Sequence, residues 1–472
     1  MKSSSLRQHT LRHAISSAST FAMVLTIAAC GSPSDRPNAM NNASADNPPG
    51  GTPANPLGGA DRGAQDVPAA SSTPVTPPMA PGSLDNTYGS SGVVTGLEDH
   101  APSVTFSRSG RALVLEKMTA SNMFARFTVL LAGGAPDLAH GVGGLANVAI
   151  PGAGSHGCTG FGLIEDDGSV VLAGGILLPD AGSASKPFVA RFKNGVLDSA
   201  FGTSGLWTFP DRYAAVSQLL AERDAAGAVI GYFARVNFAS LGDLGGLPRD
   251  ASVRVYRLTA SGAVDVAFGS GGHVEAAGVN FMVLDGAGSL IVVSGAGSSA
   301  ELRRLTKTGD VDATFGVAGT STVVIPQSTT FINWLGLKGG GVLAALQDET
   351  SVRTRIVRIG SGGALADAFP GTPTLELSGR LLSLAGELSD GRFLATRYDG
   401  GSTRIERRKA DGTPDIAFGT AGTVELAKVA GADDFLAASP TTTGATMLAT
   451  THPGGVVKGG YVTAWSVRRL TP

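Results

Sequence analysis

The stretch Gly195-Val-Leu-Asp-Ser-Ala-Phe-Gly-Thr-Ser-Gly205 decides the fold, because near-copies of it recur along the chain. Four further copies keep its Gly, Asp, aromatic and Gly positions: GSLDNTYGSSG from Gly82, GAVDVAFGSGG from Gly262, GDVDATFGVAG from Gly309 and GTPDIAFGTAG from Gly412. A recurring segment of this kind indicates one small structural unit that is stacked many times, as in solenoids and propellers.

Two weaker copies fill the gaps between these five. The copy from Gly134 keeps the Asp and glycines but has His140 at the aromatic position, and the copy from Gly363 has Ala366 and Pro370 at the Asp and Gly positions. The marker positions are therefore Asp85, Asp137, Asp198, Asp265, Asp312, Ala366 and Asp415. Their separations run from 47 to 67 residues with a mean of 55, which is close to the roughly 40–50 residues of a four-stranded propeller blade.

Other signals keep the same period and predict the strands. A glycine turn followed by an apolar run occurs once per unit, as in EDDGSVVLAG around Gly168, and this is hairpin chemistry. A strand-like segment with an arginine precedes most motifs, for example FVARF with Arg191, although Arg126 stands three residues too early for its unit. A short apolar segment such as Leu206-Trp207 follows the motif. Each unit therefore reads as four short strands, and helical periodicity is almost absent.

The two ends of the repeat region are incomplete in complementary ways. The region begins at Gly82 with a motif that lacks its preceding arginine strand, and it ends at residues 464–470 with an arginine strand that lacks its motif. Joining them makes one complete unit, so the sequence predicts an all-β, seven-bladed β-propeller closed by pairing of the N- and C-terminal strands, which leaves no open edge. An open β-solenoid is the alternative, since such stacks also repeat.

The repeated residues have structural explanations. Glycine permits the positive φ of tight turns, aspartate accepts hydrogen bonds within its own turn, and a buried aromatic side chain can fill the space between blades. The residues of this structural repeat motif are Asp85, Tyr88, Gly89, Asp137, Gly141, Asp198, Phe201, Gly202, Asp265, Phe268, Gly269, Asp312, Phe315, Gly316, Phe369, Asp415, Phe418 and Gly419. Calcium binding by the aspartates is the alternative, but no motif has the D-x-D-x-D-G spacing of a calcium loop. We expect the recurring arginine to extend to solvent or to pair with a neighbouring blade's aspartate.

This motif, with its upstream arginine strand, resembles the delta-60 repeat family, whose consensus is close to G-x-L-D-x-x-F-G-x-x-G. The resemblance covers essentially all of residues 82–472. It implies a bacterial propeller-like protein that is usually exported, and it implies no common activity.

The N-terminal segment has the features of an export signal. Lys2, Arg7 and Arg12 precede an apolar stretch that is too short and too polar for a membrane span. The stretch ends in LTIAAC, which resembles a bacterial lipobox, so that residues 1–29 are a lipoprotein signal peptide and Cys30 is the lipidation site. The residues after Cys30 resemble the outer-membrane sorting pattern. Simple secretion and an uncleaved anchor are the alternatives.

Residues 30–81 are predicted to be a lipid-anchored, disordered linker rich in Pro, Ala and Gly, because they lack the apolar side chains that a core requires. Without the signal, 33 basic residues stand against 38 acidic ones, a net charge of −5. This balance argues against a nucleic-acid partner. The only other cysteine is Cys158, so no intramolecular disulfide is possible once Cys30 is lipidated.

The motifs that could carry chemistry are weak. The segment Gly152-Ala-Gly-Ser-His-Gly157 matches G-x-G-x-x-G but lacks the strand, helix and downstream acid of a nucleotide loop. His156 and Cys158 lie close together without an identifiable orienting partner. Neither C-x-x-C nor H-E-x-x-H is present. The sequence therefore predicts no catalytic, cofactor-binding or metal-binding residue.

We accordingly expect a monomeric binding scaffold at the bacterial cell envelope, attached to the membrane through Cys30 and without a cofactor. The two longest units carry insertions at residues 178–186 and 240–249, and loops on one rim of a propeller usually carry recognition. These insertions predict a protein or glycan partner at that rim. The alternative function is an extracytoplasmic hydrolase or lyase that acts on a polysaccharide or peptide at the propeller channel.

Overall fold

The computed structural model describes most of the chain from Met79 onward. The described residues are 79–98, 102–116, 124–152, 157–177, 185–209, 214–238, 252–295, 299–324, 329–348, 352–365, 369, 372, 374–388, 390–399, 402–427, 434–457 and 460–472. They form seven antiparallel sheets, here named blades I to VII, and two single-turn 3-10 helices at Leu138–His140 and Val142–Gly144. No helix in these ranges is long and apolar enough to cross a bilayer.

In blades I to VI the four main strands follow chain order across the sheet, with β9 as a short addition at the side of blade II. Blade I comprises β2 (Ser103–Phe106), β3 (Ala112–Leu115), β4 (Phe124–Leu130) and β5 (Leu145–Ala149). Blade II comprises β6 (Gly157–Ile164), β7 (Val170–Leu177), β8 (Ser185–Lys193), β9 (Val196–Leu197) and β10 (Leu206–Thr208). Blade III comprises β11 (Ala214–Arg223), β12 (Val229–Phe238), β13 (Val253–Thr259) and β14 (His273–Glu275).

The next three blades repeat this arrangement. Blade IV comprises β15 (Val279–Leu284), β16 (Leu290–Ser294), β17 (Ser299–Leu305) and β18 (Thr320–Val324). Blade V comprises β19 (Thr329–Gly336), β20 (Val342–Asp348), β21 (Arg353–Ile359) and β22 (Thr374–Ser378). Blade VI comprises β23 (Arg380–Glu387), β24 (Phe393–Tyr398), β25 (Ser402–Arg408) and β26 (Thr423–Ala427).

Blade VII is built from both ends of the described chain. Its first three strands are β27 (Asp434–Pro440), β28 (Thr446–Val457) and β29 (Gly460–Leu470), and its fourth is β1 (Val93–Glu98). β1 pairs antiparallel with β29 over its whole length, with Val93 opposite Arg468 and Glu98 opposite Thr463. The predicted seven-bladed propeller, closed by its terminal strands, is confirmed.

The first strand of each blade lies at the centre of the ring. Contacts between these strands and the following blade run from blade I to blade VII and return to blade I. In blades II to VII the first strand carries a β-bulge one to three residues after its start, for example between Val216 and Gln218 or between Phe331 and Asn333. A bulge bends a strand and increases its twist. The bulges therefore allow the first strands of these six blades to pack side by side around the central axis.

The hydrophobic core is divided into seven clusters, and each fills the interface between two neighbouring blades. The cluster between blades II and III, for example, joins Val171 and Phe201 to Val216 and Tyr232. Burying one such aromatic side chain stabilises the fold by about 1.5–3 kcal/mol. Stability therefore comes from blade-to-blade packing repeated around the ring.

Two faces of the ring follow from the strand order. The turn between strands one and two of a blade and the motif loop between strands three and four lie at the same end of the sheet; this end is called the motif face. The chain enters the propeller on this face, where the Pro81 carbonyl accepts a hydrogen bond from Gly419 N (2.8 Å) and the Ala80 carbonyl accepts one from Thr471 Oγ1 (2.6 Å).

Candidate functional site

The repeated motif forms the same turn in five blades, and blade II illustrates it. Asp198 N donates to the Arg191 carbonyl (2.8 Å), while Asp198 Oδ1 accepts from Ala200 N (3.1 Å). Its other oxygen, Oδ2, accepts from Arg191 Nε at 2.8 Å. Gly202 follows the aromatic residue with φ +56°, a backbone conformation that favours glycine. The aspartate thus links its own turn to the third strand of its own blade.

The same pair of charges recurs in blades II, III, IV, VI and VII. The Arg–Asp distances are 2.8 Å for Arg191–Asp198, 2.7 Å for Arg257–Asp265, 2.8 Å for Arg304–Asp312, 2.7 Å for Arg407–Asp415 and 2.7 Å for Arg469–Asp85. Each arginine pairs with the aspartate of its own blade. The expectation of pairing with a neighbouring blade's aspartate was therefore wrong, because the motif loop folds back onto the strand that precedes it.

Contact with the next blade is made through backbone carbonyls instead. In blades II, IV and VII the arginine Nη1 donates to the carbonyl two residues before the next motif's first glycine: Arg191 to Ala260 (2.7 Å), Arg304 to Ser361 (2.6 Å) and Arg469 to Ala132 (2.7 Å). The glycine after the aromatic residue donates its N–H to the carbonyl that lies one residue before the next motif's first glycine. The pairs are Gly89 to Gly133, Gly202 to Ser261, Gly269 to Thr308, Gly316 to Gly362 and Gly419 to Pro81, at 2.6–2.9 Å.

The motif aromatics lie at the blade interfaces and are almost fully buried: Tyr88, Phe201, Phe268, Phe315 and Phe418 at 0% exposure and Phe369 at 3%. In four blades the motif arginine also stacks on this ring, at 4.5–5.4 Å from its centroid. The first glycine of the next motif packs against the ring, so that a Cβ on Gly262 would lie 2.7 Å from Phe201. One motif therefore provides an ion pair, a hydrogen-bonded turn and an interface plug together.

Blade I satisfies its motif with different residues. Asp137 N donates to the carbonyl of Val129, which therefore occupies the arginine position, and Arg111 supplies the guanidinium from the first turn of the blade (Nη1–Oδ2, 2.7 Å). His140 replaces the aromatic plug, and its Nε2 lies 3.1 Å from the Gly168 carbonyl of blade II. Burial lowers the pKa of His140, which favours the neutral imidazole. The blade I interface is thus altered but closed.

Blade V departs from the pattern, and its described residues show no such replacements. Arg358 occupies the arginine position and donates Nη1 to the Ala410 carbonyl at 3.1 Å. The sequence has Ala366 in place of the aspartate, and no carboxylate among the described residues lies within ion-pair distance of Arg358. Pro370 replaces the glycine that donates to the next blade, and proline has no N–H. No described N–H reaches the equivalent acceptor, the Asp411 carbonyl.

A groove opens at this altered interface between blades V and VI, with a volume of about 480 Å³. Its walls are Phe369, Thr372, Thr374, Leu375 and Glu376 from blade V and Arg408, Asp411, Gly412, Thr413 and Pro414 from blade VI. The volume falls within the roughly 300–1,000 Å³ of small-ligand sites. We name this feature the V/VI groove and take it as the candidate functional site.

The charged side chains in the V/VI groove already have partners. Glu376 pairs with Arg355 at 3.1 Å, and Arg408 pairs with Glu406 at 2.6 Å. Asp411 Oδ1 accepts from the backbone and hydroxyl of Thr413 at 2.9 and 2.7 Å, which holds the pKa of this carboxyl below its usual range.

The Arg235 guanidinium is an unusual charge at the interface between blades III and IV. Arg235 of β12 pairs with the residue that follows the bulge of the first strand. In five other blades this position has an uncharged residue: Ala173, Val293, Ala345, Thr396 and Ala449. The Arg235 guanidinium donates to Ser217 Oγ at 2.9 Å, to the Val279 carbonyl at 3.2 Å and to the Asn280 carbonyl. Burial lowers the pKa of Arg235 to about 10. Arg235 thus ties the bulges of two central strands together.

Glu165 and Tyr232 form a buried contact between blades II and III. The Tyr232 hydroxyl donates to Glu165 Oε1. Burial raises the pKa of Glu165, and it also raises that of Tyr232. The pair joins the first turn of blade II to the second strand of blade III, so its position is that of an interface strut.

Several predicted positions lie outside the described residues. These are Cys30, Ala366, Pro370, His156 and both insertions except Ser185 and Lys186. Cys158 falls within β6, but its side chain is outside them as well. In the described part of the chain no group of three or more His, Cys, Asp or Glu residues could hold a metal ion.

No protein-family model and no curated protein match this chain. Among solved structures it is similar to prolyl oligopeptidase B from Galerina marginata bound to a 35mer substrate (TM-score 0.44, 12% identity, 77% of this chain and 48% of that chain). It is also similar to the Dos1 propeller, with a TM-score of 0.38 and 10% identity over 77% of this chain and 77% of that chain. A third similar structure is a quinonprotein alcohol dehydrogenase-like protein from Bacteroides thetaiotaomicron, with a TM-score of 0.35 and 11% identity over 69% of this chain and 66% of that chain. The chain spans about half the length of the prolyl oligopeptidases it matches, and the strand pairing described above is what assigns its fold.

Proposed function

We propose that this chain is a delta-60-type propeller lipoprotein of the bacterial cell envelope that binds a protein or glycan partner at the V/VI groove without transforming it. The observation that carries the proposal is the altered interface. Five blades make both the ion pair and the glycine N–H bond to the next blade, whereas blade V has Ala366 and Pro370 at the aspartate and glycine positions of the motif and a groove beside them.

The attachment rests on the sequence. The lipobox-like LTIAAC supports lipidation at Cys30, with residues 30–81 as a linker that would hold the propeller at the membrane. Multiple acyl chains give firm anchoring. The propeller begins where this linker ends, on the motif face beside Gly419. The V/VI groove is formed by motif loops, so it lies on that same face.

The anchor is tested by metabolic labelling with palmitate in a bacterial host that processes lipoproteins. The wild-type chain is expected to incorporate label and to fractionate with the outer membrane, and Cys30→Ser is expected to lose both properties. Cys158→Ser is the matched control and should keep them. Label in Cys30→Ser, or a soluble wild-type protein, would contradict the proposed attachment.

Binding is tested by passing periplasmic and surface extracts over immobilised protein. Thr372→Trp is designed to fill the groove, whereas Val266→Trp places the same side chain at a position 74% exposed in the motif loop of blade III. A protein or glycan retained by wild type and by Val266→Trp, but not by Thr372→Trp, is the expected result. Equal retention by all three proteins would place recognition elsewhere. Turnover of polysaccharide or peptide libraries would favour the hydrolase or lyase alternative.

A further inference from the structure

We propose that Arg235 is the centre of an anion-binding site at the inner wall of the ring, and that its ligand is a hydroxylated carboxylate with the chemistry of a sugar acid. The site consists of Arg235 and Asn237 of β12, the bulge residue Ser217 of β11 and the bulge residue Asn280 of β15. It is called the III/IV site, after the two blades that form it. It lies apart from the V/VI groove and does not depend on the function proposed for that groove.

The III/IV site lies near the face of the propeller opposite to the motif face. The turn that joins β11 to β12 is on the motif face, so β11 begins and β12 ends at the opposite one. Ser217 is the fourth residue of β11, and Arg235 is the fourth residue from the end of β12. Because the first strands lie at the centre of the ring, a guanidinium that contacts both Ser217 and Asn280 lies where two central strands meet.

An arginine at this position is not needed to close the interface. Five other blades have the same kind of bulge with an alanine, valine or threonine in its place. The edge of β15 is already joined to β11 by Gln218, whose Nε2 donates to the Met282 carbonyl (2.7 Å) and whose Oε1 accepts from Met282 N (2.8 Å). No carboxylate in the described part of the chain pairs with Arg235, and burial lowers its pKa to about 10. Taking a charge out of water without a counter-ion is unfavourable, so a ligand that supplies the counter-ion explains the arginine.

Arg235 keeps one amino group available for such a ligand. Its Nε donates to Ser217 Oγ at 2.9 Å, and its Nη1 donates to the carbonyls of Val279 (3.2 Å) and Asn280. Nη2 donates to no described group, and it is not among the enclosed side-chain atoms that lack a partner, so it is open to solvent. The existing bonds fix the guanidinium before a ligand arrives, which reduces the entropy lost on binding. One guanidinium balances the single charge of a carboxylate, whereas a dianion would keep an unpaired negative charge.

The neutral groups around the guanidinium suit hydroxyl groups on the ligand. Asn237 is two residues after Arg235 and therefore on the same face of β12; its Oδ1 accepts from Ser217 Oγ at 3.1 Å, which leaves Nδ2 as a donor. Asn280 is exposed, and its Nδ2 donates to the Gly295 carbonyl at 2.9 Å, which leaves Oδ1 as an acceptor. A few polar groups placed in this way fix the orientation of a small ligand and select its chemistry. The corresponding bulge residues of four other blades are Gly160, Ile332, Leu382 and Leu436.

Isothermal titration calorimetry of the purified full chain tests the ligand class with D-galacturonate as the probe. Galactose has a hydroxymethyl group in place of the carboxylate, and acetate has a carboxylate without hydroxyl groups. We expect each of them to bind at least about tenfold more weakly than galacturonate, which is the loss expected for one charge-assisted hydrogen bond. Oligogalacturonate separates a free sugar acid from one within a polysaccharide, and binding of either one supports the proposal. Binding of neither uronate, or tighter binding of acetate or inorganic phosphate, would overturn it.

Variants assign the binding to the III/IV site. Arg235→Met should weaken galacturonate binding at least about tenfold, whereas Arg303→Met is the matched control and should keep it, since Arg303 is 51% exposed in β17 of blade IV. Asn237→Ala leaves the bonds of the guanidinium to Val279 and Asn280 in place and should weaken binding several-fold, which keeps the test open if Arg235→Met does not fold. Unchanged affinity in either variant would overturn the proposal, and an Arg235→Met protein that only melts at a lower temperature would leave Arg235 as a strut.

The V/VI groove supplies the test of independence. Thr372→Trp fills that groove and should bind galacturonate as wild type does, whatever it does to the retention of an envelope partner. Loss of galacturonate binding in Thr372→Trp, with full binding in Arg235→Met, would place the uronate in the groove and overturn the III/IV site.

Discussion

The ion pair that closes the ring, Arg469–Asp85, offers the most direct test of how this propeller is held together. Its two residues are 384 positions apart, whereas the equivalent pair Arg304–Asp312 spans 8. For an unfolded chain, whose closure cost grows as (3/2)RT ln n, bringing together the residues of the longer span costs about 3.4 kcal/mol more. The closing blade must offset this cost, so we expect its N-terminal strand β1 to open before the corresponding strand β18.

The magnitude of the pair follows from its contacts. Arg469 Nε and Nη2 both lie 2.7 Å from Asp85 Oδ2, and the side chains are 22% and 14% exposed. A hydrogen bond to a charged group contributes about 1.5–3 kcal/mol, and partial exposure reduces this to about 1–2 kcal/mol. Asp85→Ala and Arg469→Ala should each lower the opening free energy of β1 by about this amount, and the double variant should be less destabilised than the sum of the two.

Hydrogen exchange followed by mass spectrometry measures these openings on peptides that cover residues 93–98 and 320–324. The cycle of Arg304→Ala and Asp312→Ala serves as the control and should show coupling without selective opening of β18. Heat denaturation is the poorer assay, since 1 kcal/mol moves the midpoint of a domain this large by only roughly 1 °C. Additive effects in the Arg469/Asp85 cycle, or β1 amides as protected as those of β18, would refute the reasoning.

Three further outcomes follow from the packing. Gly96→Val should loosen β1, because a Cβ there would lie 2.3 Å from the Trp465 ring, and tryptophan fluorescence will report the change. Phe268→Ala should cost about 3–5 kcal/mol in urea unfolding, since the ring is fully buried between blades III and IV. Glu165→Gln should stabilise at pH 7: burial raises the native pKa of this carboxyl above its ordinary 4.5, so its stabilisation is present below pH 4.5 and lost as pH rises through the native pKa. The advantage over wild type should therefore shrink on acidification, as melting temperatures across pH will show.

Much of the fold was predictable because the signals were local and repeated. The segment after each motif becomes the fourth strand of a blade, as with Leu206-Trp207 in β10 and Val93-Val94 in β1. The early position of Arg126 also has its explanation, since Val129 occupies the arginine position and Arg111 replaces the charge. Arg111 belongs to a different turn of the blade, and only three-dimensional proximity connects it to Asp137.

Only part of the candidate site could be predicted from the sequence. Ala366 and Pro370 are departures from the motif in the sequence, but the sequence predicts recognition at the longer insertions in blades II and III, and those insertions lie outside the described ranges except for Ser185 and Lys186. What the departures remove depends on which carbonyl faces the motif across an interface. That information is in the pairing of Gly316 with Gly362 and its equivalents, and no spacing along the chain contains it.

A repeated fold contains its own controls, and this gives the departures in blade V their meaning. An arginine without a carboxylate would be unremarkable in a protein of irregular architecture, where no reference position exists. Here blades I and V both depart from the same motif, and blade I has a guanidinium on its aspartate through Arg111 and a polar contact with blade II through His140. In the described residues of blade V, Arg358 reaches the next blade and no carboxylate partner of it is seen. The groove beside the altered motif of blade V is therefore the feature on which the proposed binding at the V/VI groove rests.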